Sequence, residues 1–277
     1  MKLDAHQHFW RYRAEEYGWI GEQETALKRD FLPTDLALEL ERAGFDGCVA
    51  VQARQSLAET DWLLELAEGN PFIRGVVGWV DLCSPDLPSQ LERLAAKPKL
   101  RGVRHVVQDE PDDEFMLRED FLRGLGRLGS WGLAYDILIF PRHLRVAREL
   151  VHRFPEQRFI LDHMAKPPIR GGVLEPWASD LRALAAPPNV ACKVSGLVTE
   201  ADWRRWTPGD LRPYIHTVLE AFGAERLLIG SDWPVCTLAA SYSEAVGGMI
   251  ACFDGLSASE QALVLGKNAE SWYRIVP

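Results

Sequence analysis

Met1-Lys2-Leu3-Asp4-Ala5-His6-Gln7-His8-Phe9-Trp10 opens the chain. The stretch alternates apolar and polar residues as a short strand does. A two-residue period puts Asp4, His6 and His8 on one face and Leu3, Ala5 and Gln7 on the other. Two imidazoles two residues apart are poor material for a packed core, because each ring needs partners for its nitrogens. They suit a site that holds a metal ion, a water or a developing oxyanion. A pair of hydrogen-bonded structural histidines is the plain alternative.

Outward from this strand, an aromatic and charged loop runs from Phe9 to Leu32, where Trp10, Tyr12, Tyr17 and Trp19 are placed to wall a pocket. A helix follows from Thr34 to a stop at Gly44. Strands are then expected at Cys48–Gln52, Ile73–Val80, Leu100–Val107, Leu133–Phe140, Arg158–His163, Val190–Gly196 and Arg226–Asp232. Between and after them, helices are expected at Leu57–Glu68, Leu87–Ala96, Phe115–Leu128, His143–Phe154, Trp177–Ala186, Leu211–Phe222, Tyr242–Phe253 and Ser257–Tyr273. The last opens with Ser257 and Glu260, spaced as a capping box. Eight strands, each followed by a helix, predict a single (β/α)8 TIM barrel over residues 1–277. A doubly wound open sheet is the competing α/β fold, but no Gly-x-Gly-x-x-Gly follows any strand.

Composition narrows the partners. The 277 residues are 47% hydrophobic, enough for a sizeable core, and the formal net charge of -9 argues against nucleic acid. The apolar runs are too short to span a bilayer, so no membrane association is expected. Neither an apolar leader nor a close pair among Cys48, Cys83, Cys192, Cys236 and Cys252 is present, which fits a reducing cytoplasm. Composition says nothing of the oligomeric state.

In a barrel the chemistry sits at the carboxyl ends of the strands. Those ends carry His6 and His8, Gln52, Trp79 with Asp81, Arg104 and His105 with Gln108 just beyond, and Tyr135 with Asp136. They continue with Asp162 and His163, Lys193 and Ser195, and Gly230-Ser231-Asp232-Trp233-Pro234. Strands one and eight are neighbours in a closed barrel, so Asp232 is expected beside His6 and His8, with His163 facing them. His143, His152 and His216 sit on helices and are read as structural or surface residues, and Asp109 to Glu114 as an acidic run entering a helix N-terminus.

The segments Asp4 to Trp10, Leu161-Asp162-His163 and Gly230 to Pro234 resemble the amidohydrolase superfamily. Arg101-Gly102-Val103-Arg104-His105, Cys192 to Leu197, Val198 to Trp203 and Ser231 to Cys236 are similar, more narrowly, to its branch of sugar-acid lactonases. The resemblance runs from end to end. It implies a hydrolase that opens aldonolactones, L-fucono-lactone first and L-galactono- or D-arabinono-lactone next, as in L-fucose breakdown. It also departs from the superfamily's binuclear pattern: the middle strands offer Arg104, His105, Asp136 and Lys193, and only His163 answers the later histidines. What the resemblance leaves is one zinc on His6, His8, His163 and Asp232, or no required cofactor, since the branch is similar to members that work without metal.

Lactone opening needs a base for water, donors for the oxyanion and a proton for the leaving oxygen. Asp232 is read as the base, with His6, His8, His163, Arg104 and His105 as polarising groups. Gln52, Asp81, Gln108, Tyr135, Asp136 and Lys166 form the pool of hydroxyl-binding groups, and Trp10 and Trp233 pack on the sugar ring. Two other readings stand beside this one. A zinc-dependent decarboxylase, or a hydrolase of another small carboxylate, would gain from a histidine on strand seven, which is absent. A non-catalytic sugar-binding protein would be favoured by loss of Asp232, which is present.

Overall fold

The computed structural model describes residues 1–276. Its eight parallel strands are β1 Leu3–Gln7, β2 Gly47–Val51, β3 Ile73–Gly78, β4 Leu100–Val106, β5 Ala134–Leu138, β6 Phe159–Leu161, β7 Val190–Val194 and β8 Leu227–Ile229. They hydrogen-bond in sequential order. The helices that return the chain are α1 Pro33–Ala43, α2 Leu57–Gly69, α3 Leu87–Ala95, α4 Glu119–Leu125, α5 Leu144–Arg153 and α6 Trp177–Ala185. After them come α7 Leu197–Glu200, α8 Pro208–Phe222, α9 Tyr242–Ile250, α10 Ala258–Ala262 and α11 Asn268–Trp272. The architecture is the expected (β/α)8 barrel. No described helix is long and apolar enough to cross a membrane.

Helix boundaries follow local chemistry. Pro33 starts α1, the Asp35 side chain accepts the Leu32 amide, and Gly44 ends the helix in the left-handed region at φ 71°. Ser241 with Glu244 and Ser257 with Glu260 form the capping boxes of α9 and α10. Two expected helices are broken. The segment from Phe115 begins as a 3-10 turn, Phe115–Leu117, held by Phe115 stacking on His105, and α4 starts afresh at Glu119. The last helix is interrupted at Leu263–Lys267 by a π-turn, where Gly266 lies against the Met1 carbonyl too closely for any side chain.

Barrel closure depends on the ends of β1 and β8. Gln7 and Trp233 form a parallel bridge, the His8 amide donates to the Trp233 carbonyl at 2.7 Å, and the Asp232 amide donates to the His6 carbonyl at 2.8 Å. Within β1 the register shifts between Asp4 and Gln7. This bulge corrects the two-faced reading of the strand. Leu3 and Ala5 belong to the buried cluster inside the barrel, whereas Asp4 turns outward to Ser231 and Tyr242 and Gln7 to Cys48. Past the bulge, His6 and His8 point inward.

The interior is layered by the period of two. At the lower end Leu3, Val49, Val51, Val77, Ala134, Ile160, Ala191 and Leu228 pack together, closed off by Ala269, Tyr273 and Ile275 from the C-terminus. The next inward residues up the strands are Arg104, Asp136, Asp162 and Lys193, all buried. The histidines and Asp232 lie above them. Tyr273 joins the two layers, because its hydroxyl donates to Asp136 Oδ2 at 2.6 Å. Replacing Tyr273 by Phe therefore removes a buried hydrogen bond to a carboxylate and is expected to cost about 1.5–3 kcal/mol. Denaturant unfolding measures this; an unchanged midpoint would show that the bond contributes nothing.

Candidate active site

A cleft of about 510 Å³ opens at the carboxyl ends of the strands. His8, Arg104, His163 and Asp232 line its floor. His8 donates through Nδ1 to the Val51 carbonyl at 2.8 Å, and its Nε2 faces Asp232 Oδ1 at 3.2 Å. His6 Nε2 lies 3.2 Å from the same His8 nitrogen and 3.7 Å from the same carboxylate oxygen. Two imidazole nitrogens and a carboxylate oxygen thus converge. Such a set accepts a cation, and the carboxylate and imidazoles suit zinc with a position left open. His163 stands across from His6, ring centroids 4.4 Å apart, with Nδ1 at 2.9 Å from the Ser195 hydroxyl.

Backbone strain places two of these groups. His163, Met164, Ala165 and Lys166 all lie in the left-handed region, φ 52° to 58°, and Asp232 has φ 59°. Non-glycine residues there store energy that the surrounding structure must hold. The twist after β6 lets Asp162 and His163, adjacent in sequence, both face the barrel axis. Gly196, φ 66°, makes room for them. A Cβ at that position would lie 2.6 Å from His163 Nδ1 and 3.0 Å from Asp232 Oδ2.

Beneath the floor, charge is balanced among buried groups. Arg104 donates to Asp162 Oδ2 at 2.9 Å and to Gln52 Oε1 at 2.8 Å, and Lys193 reaches Asp136 Oδ2 at 2.6 Å and Asp162 Oδ1 at 3.0 Å. Burial pushes the Asp136 carboxyl up to about 6 against the pull of Lys193. Burial acts on Asp162 in the same sense, but Lys193, His6 and Arg104 outweigh it and hold that carboxyl well below the usual range. Asp232 is also kept ionised: burial raises it, while nearby His163 and the contact with His8 bring it below the ordinary carboxylate value. Burial pushes His163 down to about 4, and burial together with Lys193 takes His6 well below 6.5, so both rings are neutral at pH 7.

Of the residues expected from sequence, His6, His8, His163, Arg104 and Asp232 meet at the floor. Gln108 and Lys166 line the wall. The others lie elsewhere. His105 faces outward from β4, bonded to Glu110 at 2.6 Å and stacked on Phe115, because its neighbour Arg104 takes the inward position. Tyr135 likewise faces outward and packs on Phe121 and Phe159, while Asp136 is fully buried under the floor. Gln52 is buried as the partner of Arg104. Asp81 accepts the Cys83 amide in the turn after β3, away from the cleft. Trp10 is a core residue whose indole donates to the Arg29 carbonyl, and Trp233 packs between Phe9 and Phe31.

Sequence reasoning missed Arg54, Gln55 and Glu110, which come from loops and line the cleft. It named Trp19 only as part of a pocket wall. This indole is 42% exposed, lines the cleft and is braced edge-on by Trp10 at 5.7 Å. The loop carrying Arg54 is anchored by buried Glu59, whose carboxylate accepts the Ala53 and Arg54 amides and the Tyr17 hydroxyl. An acid seven residues beyond a strand end, among apolar helix positions, was the available signal.

A family model described as Amidohydrolase matches residues 3–275. The chain is 42% identical to an L-fucono-1,5-lactonase of Burkholderia multivorans over 286 residues, covering 99% of this chain and 96% of the relative. A crystal structure of an amidohydrolase from Burkholderia multivorans with bound HEPES superposes with a TM-score of 0.95 at 41% identity, covering 100% of both chains. A form of that amidohydrolase with bound zinc gives a TM-score of 0.94 at 43% identity, again over 100% of both chains.

The Glu59 anchor has a measurable pH signature. Burial pushes its carboxyl from 4.5 up to about 7, so the protonated form is favoured in the folded state. The corresponding stability is complete below pH 4.5 and is lost as pH rises through 7, by roughly 3 kcal/mol. Asp4 and Asp136, each pushed up to about 6 by burial, add to the same slope. In Glu59→Gln the fall in unfolding free energy between pH 5 and pH 8 should be visibly shallower. An identical slope in the variant would refute the protonated anchor.

Proposed function

This chain belongs to the amidohydrolase family, and we propose that it opens L-fucono-1,5-lactone to the aldonic acid, with Asp232 as the base. At the coarser level it is a sugar-lactone hydrolase, as the full-length relation to lactonases supports, and the decarboxylase and non-catalytic readings are not favoured. L-Galactono- and D-arabinono-lactones are the next substrates in line. One observation carries the residue roles: an ionised Asp232 meets a neutral His6, with His8 beside them, on the floor of a cleft sized for one sugar ring.

A water held by Asp232 and His8 Nε2 gives its proton to the Asp232 carboxylate as its oxygen attacks the lactone carbonyl carbon. Arg104 and Lys166 face the cleft beside neutral His163, with Arg54 a further cation on its wall, and they supply charge and donors where the oxyanion develops. Arg104 is held in place by Gln52 and Asp162, so it needs no reorganisation during reaction. As the tetrahedral intermediate collapses, Asp232 returns the proton to the leaving ring oxygen. Zinc, where bound by His6, His8 and Asp232, with His163 alongside, would supply Lewis-acid polarisation of the carbonyl. Gln55, Gln108 and Glu110 are placed for sugar hydroxyls and Trp19 for the apolar face of the ring. The five cysteines are unpaired, four of them buried, which supports a reducing cytoplasm as the compartment.

Proton release from L-fucono-, L-galactono-, L-rhamnono- and D-arabinono-lactones, before and after metal stripping, tests the reading. L-Fucono-1,5-lactone is expected to give the highest kcat/KM, and no hydrolysis of any lactone in either state would overturn the assignment. Asp232→Asn should lower kcat by about 10²–10⁴-fold with the fold intact; near-normal turnover would remove Asp232 as base. Trp19→Ala should raise KM with little change in kcat, as loss of uniform binding does. A loss confined to kcat would instead place Trp19 in the transition state.

A further inference from the structure

Lys193 has no access to the cleft or to solvent, yet its ammonium lies 3.1 Å from His6 Nδ1. The same Nζ is 2.6 Å from Asp136 Oδ2 and 3.0 Å from Asp162 Oδ1. One imidazole nitrogen and two carboxylates around a point charge form the kind of donor set that holds a metal cation, and here a side chain supplies the cation. On the other edge of the ring, Arg104 Nη1 lies 3.3 Å from His6 Nε2. His6 is therefore met by a fixed positive charge at each nitrogen.

Both contacts bear on metal binding. Ligation through His6 Nε2 requires the proton on Nδ1, but the group bonded there is Lys193, which only donates. The alternative acceptor, Asp162 Oδ1, lies 3.3 Å from Nδ1 and already faces the Lys193 ammonium at 3.0 Å. Zinc at His6, His8 and Asp232 would have to break the Lys193–His6 bond and turn the ring proton toward Asp162.

We propose that Lys193 is a positioning residue that acts as a built-in cation, setting the zinc affinity of the His6–His8–Asp232 set and holding it low. The inference builds on the reading of this cleft as the lactone site, but its readout is metal affinity, so either can fail without the other.

The test is zinc titration of the metal-stripped full chain against a chromophoric chelator. Lys193→Met is compared with the unsubstituted protein and with Lys193→Met/Asp136→Asn, which removes the buried pair together and keeps the net charge. Both variants are expected to bind zinc about 10–100-fold more tightly, the range in which outer partners tune metal sites. Lys193→Arg, which keeps the cation, should not tighten binding. Unchanged or weaker affinity in the double variant would overturn the proposal, as would tightening in the single variant that the double variant abolishes, since the exposed carboxylates would then be the cause. Should the single variant fail to fold, the double variant decides alone.

Discussion

Four formal charges buried in a barrel must neutralise one another, and the layer Arg104, Asp136, Asp162 and Lys193 is the constraint on which the rest of this structure depends. None of the four reaches bulk solvent freely, so each takes its partners from other strands, in most cases from the strand next but one. Removing any one would strand an opposite charge in low dielectric, which costs far more than an exposed pair contributes. The network thereby fixes the relative heights of four strands. It also sets the protonation of what lies above it. Burial and the Lys193 ammonium beside it keep His6 neutral, and the neutral rings of His6 and His163 and the carboxylate of Asp232 are left facing one another across the cleft floor.

The fold was legible because its signal is distributed. Eight apolar strand runs separated by helix-period segments specify the barrel even if several boundaries are misplaced, and strand-end polarity then marks the functional face. The individual residues were harder to read, for a reason rooted in strand geometry. Adjacent residues on a strand face opposite ways, so of Arg104 and His105 only one enters the barrel, as with Asp136 and Tyr135. The sequence names both members of each pair; packing selects between them. Phe115 takes His105, and Phe121 with Phe159 takes Tyr135.

The site also breaks the alternation rule where it matters most. The bulge in β1 brings Ala5 and His6 to the same side, and the left-handed run after β6 does the same for Asp162 and His163. Strict periodicity would have lost one member of each pair. Neither device has a sequence signature as plain as glycine, since the strained residues are His163, Met164, Ala165, Lys166 and Asp232. Loop residues such as Arg54 and Gln55 carried no periodic signal at all. Their anchor, Glu59, sits on a helix that reads as ordinary.

Finally, the hydrogen bonds that join the last strand to the first are made by the backbones of His6, His8, Asp232 and Trp233. The seam of the cylinder and the floor of the cleft are the same few residues. Whatever grips the side chains of His6, His8 and Asp232 together also rivets β1 to β8 across the one junction that sequential strand pairing does not supply. Occupancy of the cleft and resistance of the barrel to opening are therefore thermodynamically linked: ligand in the cleft draws the seam shut, and amide exchange at His8 and Asp232 reports on both at once.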